Sequence, residues 1–425
     1  MKKVYNGCGG VIQIAAVVLF FWANQQLLAQ DPGRTVHEFE KKQLSSTFYG
    51  EGAGIGDING DGHPDIVGGP YWYEGPEFED RHAYYEPQVF DPRNYSDNFF
   101  LEVDDVNDDG RNDILMVGFP GEAARWYENP GDAGDYWESH LIHPEVDNES
   151  PQFYDLNGDG KLELVFHTGG QLGYAQRNAG DPTRPWTFIP ISEQHEWGRF
   201  HHGLGIGDVD GDGLEDILMK NGWWQNPGTD QMDSRWQYHP VKFAEAGGAQ
   251  MYTYDVDGDG LNDVITSLDA HGWGLAWYRQ IRDGDNISFE QHLIMGEALA
   301  DNTYGVRFSQ PHALDLLDMD GDGIKDLVTG KRFWGHGPTG DVEPNAPAVL
   351  YWFKLNRNGD GGAGFTPYLV DDNSGVGVEV ATGDLSGNGY PDIVVSNKNG
   401  TFVFLNKSRA GDRPQSPQSD RKSVV

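Results

Sequence analysis

Cysteine is all but missing: Cys8 is the single one in 425 residues, and it precedes the one long apolar run, Val11 to Trp22. A disulfide framework is therefore excluded, although exported domains short of core often depend on one. Basic residues are scarce too, with 30 Lys and Arg against 67 Asp and Glu and a net charge of −37. Nucleic acid and anionic membranes both call for a basic face, so neither is expected as a partner. Nucleophile motifs, phosphate-binding glycine loops and dinucleotide fingerprints are also lacking. The glycines of Gly50 to Gly56 precede an acidic loop and open no helix.

Lys2 and Lys3, the apolar run and Leu27-Leu28-Ala29 read as an export signal over residues 1–30. The expected location is secreted, periplasmic or at the cell surface, with no membrane insertion after cleavage. An uncleaved anchor is the alternative, which Gln25 and Gln26 interrupt short of the ~20 apolar residues that span a bilayer. Residues 408–425, rich in Ser, Pro, Gln, Arg and Asp, read as a disordered tail. Between them, 31–407 is longer than a single compact core usually grows, which points to an architecture built by repetition.

Seven segments share one nine-residue template. They are Asp57-Ile-Asn59-Gly-Asp61-Gly-His-Pro-Asp65, Asp105-Val-Asn107-Asp-Asp109-Gly-Arg-Asn-Asp113, Asp155-Leu-Asn157-Gly-Asp159-Gly-Lys-Leu-Glu163 and Asp208-Val-Asp210-Gly-Asp212-Gly-Leu-Glu-Asp216. Asp255-Val-Asp257-Gly-Asp259-Gly-Leu-Asn-Asp263, Asp318-Met-Asp320-Gly-Asp322-Gly-Ile-Lys-Asp326 and Asp384-Leu-Ser386-Gly-Asn388-Gly-Tyr-Pro-Asp392 complete the set. Oxygen side chains at positions 1, 3, 5 and 9 suit a hard cation, and glycine at position 6 permits the tight turn that gathers them. Calcium is the expected cofactor, up to seven ions. The last loop is the poorest, because Ser386 and Asn388 replace acids. An EF-hand would need glutamate at position 12, where Gly68, Met116, Phe166, Met219, Thr266, Thr329 and Val395 stand instead.

Around each loop the pattern is β-like. A short alternating run such as Leu204-Gly-Ile206-Gly leads in, and an apolar run such as Asp216-Ile-Leu-Met leads out. Aromatics mark a third strand, as in Trp72-Tyr-Glu-Gly-Pro and Trp126-Tyr-Glu-Asn-Pro, and a fourth follows, as in Phe289-Glu-Gln-His-Leu-Ile294. The expected fold is all-β: a seven-bladed propeller of four-stranded antiparallel blades. Thr35-Val-His-Glu-Phe39 is expected to supply the strand that completes the last blade and closes the ring.

The loops followed by Asp-Ile-Val-Gly resemble the FG-GAP, or VCBS, repeats of integrin-α-type propellers, over roughly residues 48 to 406. More narrowly, the Trp-Tyr-Glu-Asn-Pro strands, His201-His-Gly-Leu-Gly, Asp269-Ala-His-Gly-Trp-Gly-Leu-Ala-Trp and Thr329-Gly-Lys-Arg-Phe-Trp look like secreted propellers related to the propeller part of aldos-2-ulose dehydratase. That likeness suggests an activity on sugars.

Six residues before each loop lies the end of a strand expected to ring the channel mouth, opposite the ions. Glu51, Phe99, Glu149, His202, Ala249, His312 and Val378 share this register. After the second strands come Asn221, His271, Lys331, Arg332, His336 and Lys398, with Trp223, Trp273 and Trp334 nearby. Tryptophan faces beside polar and basic groups suit a carbohydrate ring, while blade packing explains Trp223 and Trp334 equally well. Two functions stay open. In one, the mouth binds a carbohydrate or a partner protein. In the other, His202, His271 or His312 acts as general base or holds an additional divalent metal with Glu51, Lys331 or Arg332 stabilises an enolate, and the protein is a sugar dehydratase or lyase.

Overall fold

The computed structural model describes residues 38–131, 136–359 and 362–408. The expected signal over 1–30, the segment Thr35–His37 and the tail from 409 onward lie outside them. Among the described residues the chain is all-β, with only two single-turn 3-10 helices, Thr229–Gln231 and Leu299–Asp301. None of their helices is long and apolar enough to cross a membrane.

One four-strand meander recurs. In its clearest form, Ala53–Gly56, Asp65–Gly68, Tyr71–Tyr73 and Arg81–Ala83 make a sheet in chain order, as do Leu314–Leu317, Asp326–Gly330, Leu350–Asn358 and Gly362–Asp371. The acidic loop always joins the first strand to the second. Second strands such as Asp113–Val117 and Asp392–Asn397 are buried at every residue, which is why they read as unbroken apolar runs and not as alternating ones. In the loops the sixth residue takes φ of 87° at Gly62, Gly110 and Gly213, a conformation that side-chain-bearing residues avoid.

Larger sheets arise where meanders run together. The 17-residue strand Glu138–Tyr154 pairs through its start with Glu122–Glu128 and through its end with Glu163–Thr168, giving a seven-stranded sheet. Leu204–Gly207 runs parallel to Gln250–Tyr254 for two residues and fuses two further meanders into eight strands. The remaining sheet carries Ala381–Gly383, Asp392–Asn397 and Gly400–Asn406, and its fourth member is Phe39–Ser45, antiparallel to Gly400–Asn406 from Phe39↔Asn406 onward. That strand starts where the expected one, Thr35–Phe39, ends. Its sequence, Phe-Glu-Lys-Lys-Gln-Leu-Ser, is a polar edge strand with no apolar alternation to reveal it.

Cross-strand stacking explains the aromatic motif. Trp72, Trp126, Trp223 and Trp277 lie directly opposite His82, His140, His239 and His292 on the fourth strands. Ring centroids are 4.1 to 4.5 Å apart. Trp352 stacks on Tyr368 in the same way. Paired positions of an antiparallel ladder share a face, so each indole is covered by its partner. Apolar clusters then join neighbouring sheets, as where Ile58, Val67 and Trp72 meet Leu101, Ile114 and Tyr127. Another packs Ile66, Tyr73 and Phe78 against Leu385, Val394 and Val403.

The first strands are laced together by polar side chains. Glu379 accepts from the backbone N–H groups of Ala53 and Leu101, both at 3.0 Å. Gln250 accepts from Leu314 N and donates to Val378 O, and Gln152 donates to Leu204 O. These residues, with Glu102, Tyr252 and Asp315, line a cavity of about 270 Å³.

Candidate functional site

Two ends of the first strands carry chemistry. His202 precedes Leu204–Gly207 and Asp208 follows it, so a four-residue strand, about 13 Å at ~3.3 Å per residue, separates the two sets of groups.

In the acidic loops the carboxylates first organise their own turns. Asp318 accepts from Gly321, Asp322 and Gly323 N–H groups, Asp320 Oδ1 from Asp322, and Asp322 Oδ1 from Ile324. The ninth residue is a staple: Asp65 accepts from Ile58 and from Gly75, at 2.8 Å each. Asp113, Asp216, Asp263 and Asp326 repeat this link from loop to third strand. Burial pushes the Asp65 carboxyl up to about 6 and Asp216 to about 8. Each carboxylate oxygen retains a further lone pair. Oxygens of Asp208, Asp210 and Asp216, and of Asp255, Asp257 and Asp259, lie within 4.8 Å of one another. An oxygen-only donor set of this kind fits a hard cation such as calcium.

At the other end, side chains from separate sheets meet. Glu149 Oε2 is 3.3 Å from His202 Nε2 and 3.2 Å from His312 Nε2, and His202 Nε2 is 3.1 Å from His271 Nε2. The carbonyl oxygen of Phe200 can only accept, so His202 Nδ1 donates to it at 3.0 Å. Arg332 has no acceptor, so its Nη1, 2.9 Å from His312 Nε2, must donate to that nitrogen. Burial, with Arg332 beside it, holds His312 well below the usual histidine range and therefore neutral. His271 turns Nδ1 to Asp341 at 3.4 Å, and burial lowers its pKa as well. The Nε2 atoms of three imidazoles thus converge with a carboxylate oxygen, that of His312 already accepting from Arg332.

Beneath this cluster Arg332 donates to Glu51 at 2.8 Å, with the two side chains 2% and 1% exposed. Glu51 Oε2, Gln310 Oε1 and His312 Nδ1 are buried without a hydrogen-bond partner in the protein. Asn148, Gln310 and Trp334 take positive φ of 86°, 60° and 52° within two residues of Glu149, His312 and Arg332. Strain of this kind is usually retained for function.

The remaining residues singled out from sequence scatter. Glu51 is committed to Arg332 and does not join the histidines; Glu149, of the same register, takes that place. Lys331 is buried and donates to Ser309 Oγ at 2.8 Å, its ammonium lowered to about 8 by burial. Lys398, also lowered to about 8 by burial, donates to the carbonyls of Trp334 and Gly335. Trp223 lies inside the sheet packing against His239. One face of Trp273 is covered by Arg307 at 3.9 Å, and Trp334 stacks on Phe333 while donating to Asn345. Asn221 is an exposed turn residue whose carbonyl accepts from Tyr238. His336 is half-exposed and 2.6 Å from Asp341, at the edge of the cluster.

Sequence reasoning passed over an aromatic row at the same edge. Tyr95 sits 6.3 Å from His336 and 4.9 Å from Phe119, which reaches Phe200 at 5.6 Å; Phe200 is 51% exposed. Its place two residues before His202 was the available signal. Asp341 stands in a loop with no repeat to mark it.

A family profile described as FG-GAP-like repeat matches residues 105–166, and one described as FG-GAP repeat matches 376–412. The two matched stretches hold the second, third and last acidic loops. Integrin alpha pat-2 of Caenorhabditis briggsae is 27% identical over 262 residues, 53% of this chain, which spans 18% of that relative's length. Among solved structures, it is similar to an Agrocybe aegerita lectin that recognises non-reducing terminal N-acetylglucosamine, with TM-score 0.46, 17% identity and coverage of 89% and 87% of the two chains. Rhamnogalacturonan lyase YesW gives 0.44, 12%, 91% and 74%.

Proposed function

We propose that this protein is an exported, calcium-binding, seven-bladed propeller of the FG-GAP type whose channel mouth binds carbohydrate with the help of a divalent metal held by Glu149, His202 and His271, beside His312. Support for the ring comes from Phe39–Ser45 joining the last sheet and from the apolar cluster between the first and last sheets. Each blade is one four-strand meander.

The observation that carries the mouth is the group of four ligand atoms all within 4.8 Å of one another. Bonds of about 2.0–2.1 Å to a tetrahedral ion place its ligands about 3.3 Å apart; Glu149–His202 and His202–His271 stand at 3.3 and 3.1 Å. Imidazoles with a carboxylate suit a first-row transition ion. A bound metal would supply Lewis acidity toward a ligand oxygen. The row Tyr95, Phe119 and Phe200 gives a sugar ring an apolar face, with His336 and Asp341 in reach of its hydroxyls.

Eliminative sugar chemistry is the second reading, favoured by the His336–Asp341 pair. His336 would take the proton beside a carbonyl, a carbon–carbon double bond would form as the neighbouring carbon–oxygen bond breaks, and the protonated His336 would hand its proton to the departing hydroxyl, which leaves as water. Titration calorimetry with neutral and acidic saccharides, alongside absorbance of unsaturated products, separates the readings. Binding without product, weakened in Phe200→Ala and His271→Gln, supports capture. Product that disappears in His336→Gln supports elimination. No binding of any saccharide overturns both.

A further inference from the structure

The residue two places beyond each third-strand tryptophan lies on the same face as that indole, and in four of five cases it touches the third position of the acidic loop. Its charge varies in step with that position. Where position 3 is Asn59 or Asn107, the strand residue is Glu74 or Glu128, and Asn107 donates to Glu128 at 3.3 Å. Where position 3 is Asp210, the partner is neutral Gln225, which donates to it at 2.5 Å. Where it is Asp257 or Asp320, the partner is a cation, Arg279 or Lys354.

The last two cases take the oxygens that a metal would use. In the fifth loop Asp257 Oδ1 and Asp259 Oδ1 accept backbone N–H groups of the loop itself. Their Oδ2 atoms are left, and Arg279 holds both, at 2.8 and 3.1 Å. In the sixth loop Lys354 Nζ meets Asp320 Oδ2 and stands 2.7 Å from Asp322 Oδ2. Arg111 also reaches Asp109 in the second loop, but from within the loop, 44% exposed and onto one acid only. Arg279 and Lys354 come from the sheet and each bridges two.

We infer that Arg279 and Lys354 are resident cations that take the place of calcium in the fifth and sixth loops, so that these two loops stay closed while other loops load. The inference rests on the calcium reading of the loops. Four acids make these loops, with the fourth, look the strongest by sequence, yet a bridging ammonium or guanidinium neutralises positions 3 and 5 from inside the chain. A calcium ion would have to displace it, leaving a part-buried cation without its partners.

Metal analysis of the whole protein after dialysis against calcium-buffered solution counts the ions bound. The wild-type chain is expected to hold five or fewer. Lys354→Gln and Arg279→Gln should each add one and the double variant two, whereas Lys354→Arg should add none. A wild-type count above five, or glutamine variants that fold, by circular dichroism, without gaining an ion, overturns the resident-cation assignment and leaves the calcium reading standing. No calcium on wild type or variants overturns the calcium reading itself.

Discussion

Arg332 donates to Glu51 at 2.8 Å across 281 residues of sequence, and neither side chain reaches solvent. Removing one partner strands a buried charge, a loss of about 3–5 kcal/mol, whereas removing both together costs far less. Glu51→Gln and Arg332→Met are each expected to lower unfolding free energy by that order in urea titration, and Glu51→Leu with Arg332→Met by less than their sum. Additive losses would show that the pair is not coupled.

Two aromatic substitutions should part company. Trp223 is 1% exposed and covered by His239, so Trp223→Ala is expected to cost about 3–5 kcal/mol. Phe200, exposed at the mouth, should change stability by no more than about 0.5 kcal/mol when replaced by alanine, while saccharide affinity falls. Thermal unfolding and calorimetry on the same two variants check both halves.

The central cavity predicts a pH effect. Burial pushes Glu102 up to about 7, and Glu379, also buried and facing Glu102 and Asp315, well above the usual carboxylate range. Between the ordinary value near 4.5 and about 7, the folded chain holds a proton on Glu102 that the unfolded chain has released. Stability from this group is therefore present below that window and lost as pH rises through it, by up to about 1.4 kcal/mol per pH unit. Glu102→Gln should flatten that part of the profile and raise Tm at pH 8. An unchanged profile would remove Glu102 as its source.

Ions bound only by the folded chain stabilise it by mass action, about 2.7 kcal/mol for each site at one hundred times its Kd. Excess calcium chelator is expected to lower Tm, and added calcium to restore it. Identical melting curves with and without chelator would speak against calcium in every loop.

Much of this arrangement could be read from the chain because it is local and repeated. A nine-residue loop and a tryptophan strand recur with the same internal spacing, so strand order followed from counting. The register six residues before each loop held Glu51, Glu149, His202 and His312 together, but which glutamate meets the histidines depends on Arg332, which draws Glu51 away. Asp341 and the aromatic row lie in unrepeated loops, where no second copy confirms a reading. Acid counts ranked the fifth and sixth loops level with the fourth at the top, since the strand cations facing them lie beyond the second strand and outside the nine-residue pattern.

The pairing of Phe39–Ser45 with Gly400–Asn406 sets the order of assembly. Earlier meanders can form as the polypeptide leaves the ribosome, but this final sheet must wait for its most distant partner, a long-range closure that slows folding. Until then an edge strand bearing Lys41 and Lys42 stays uncovered, and its paired lysines guard it against premature association with another copy.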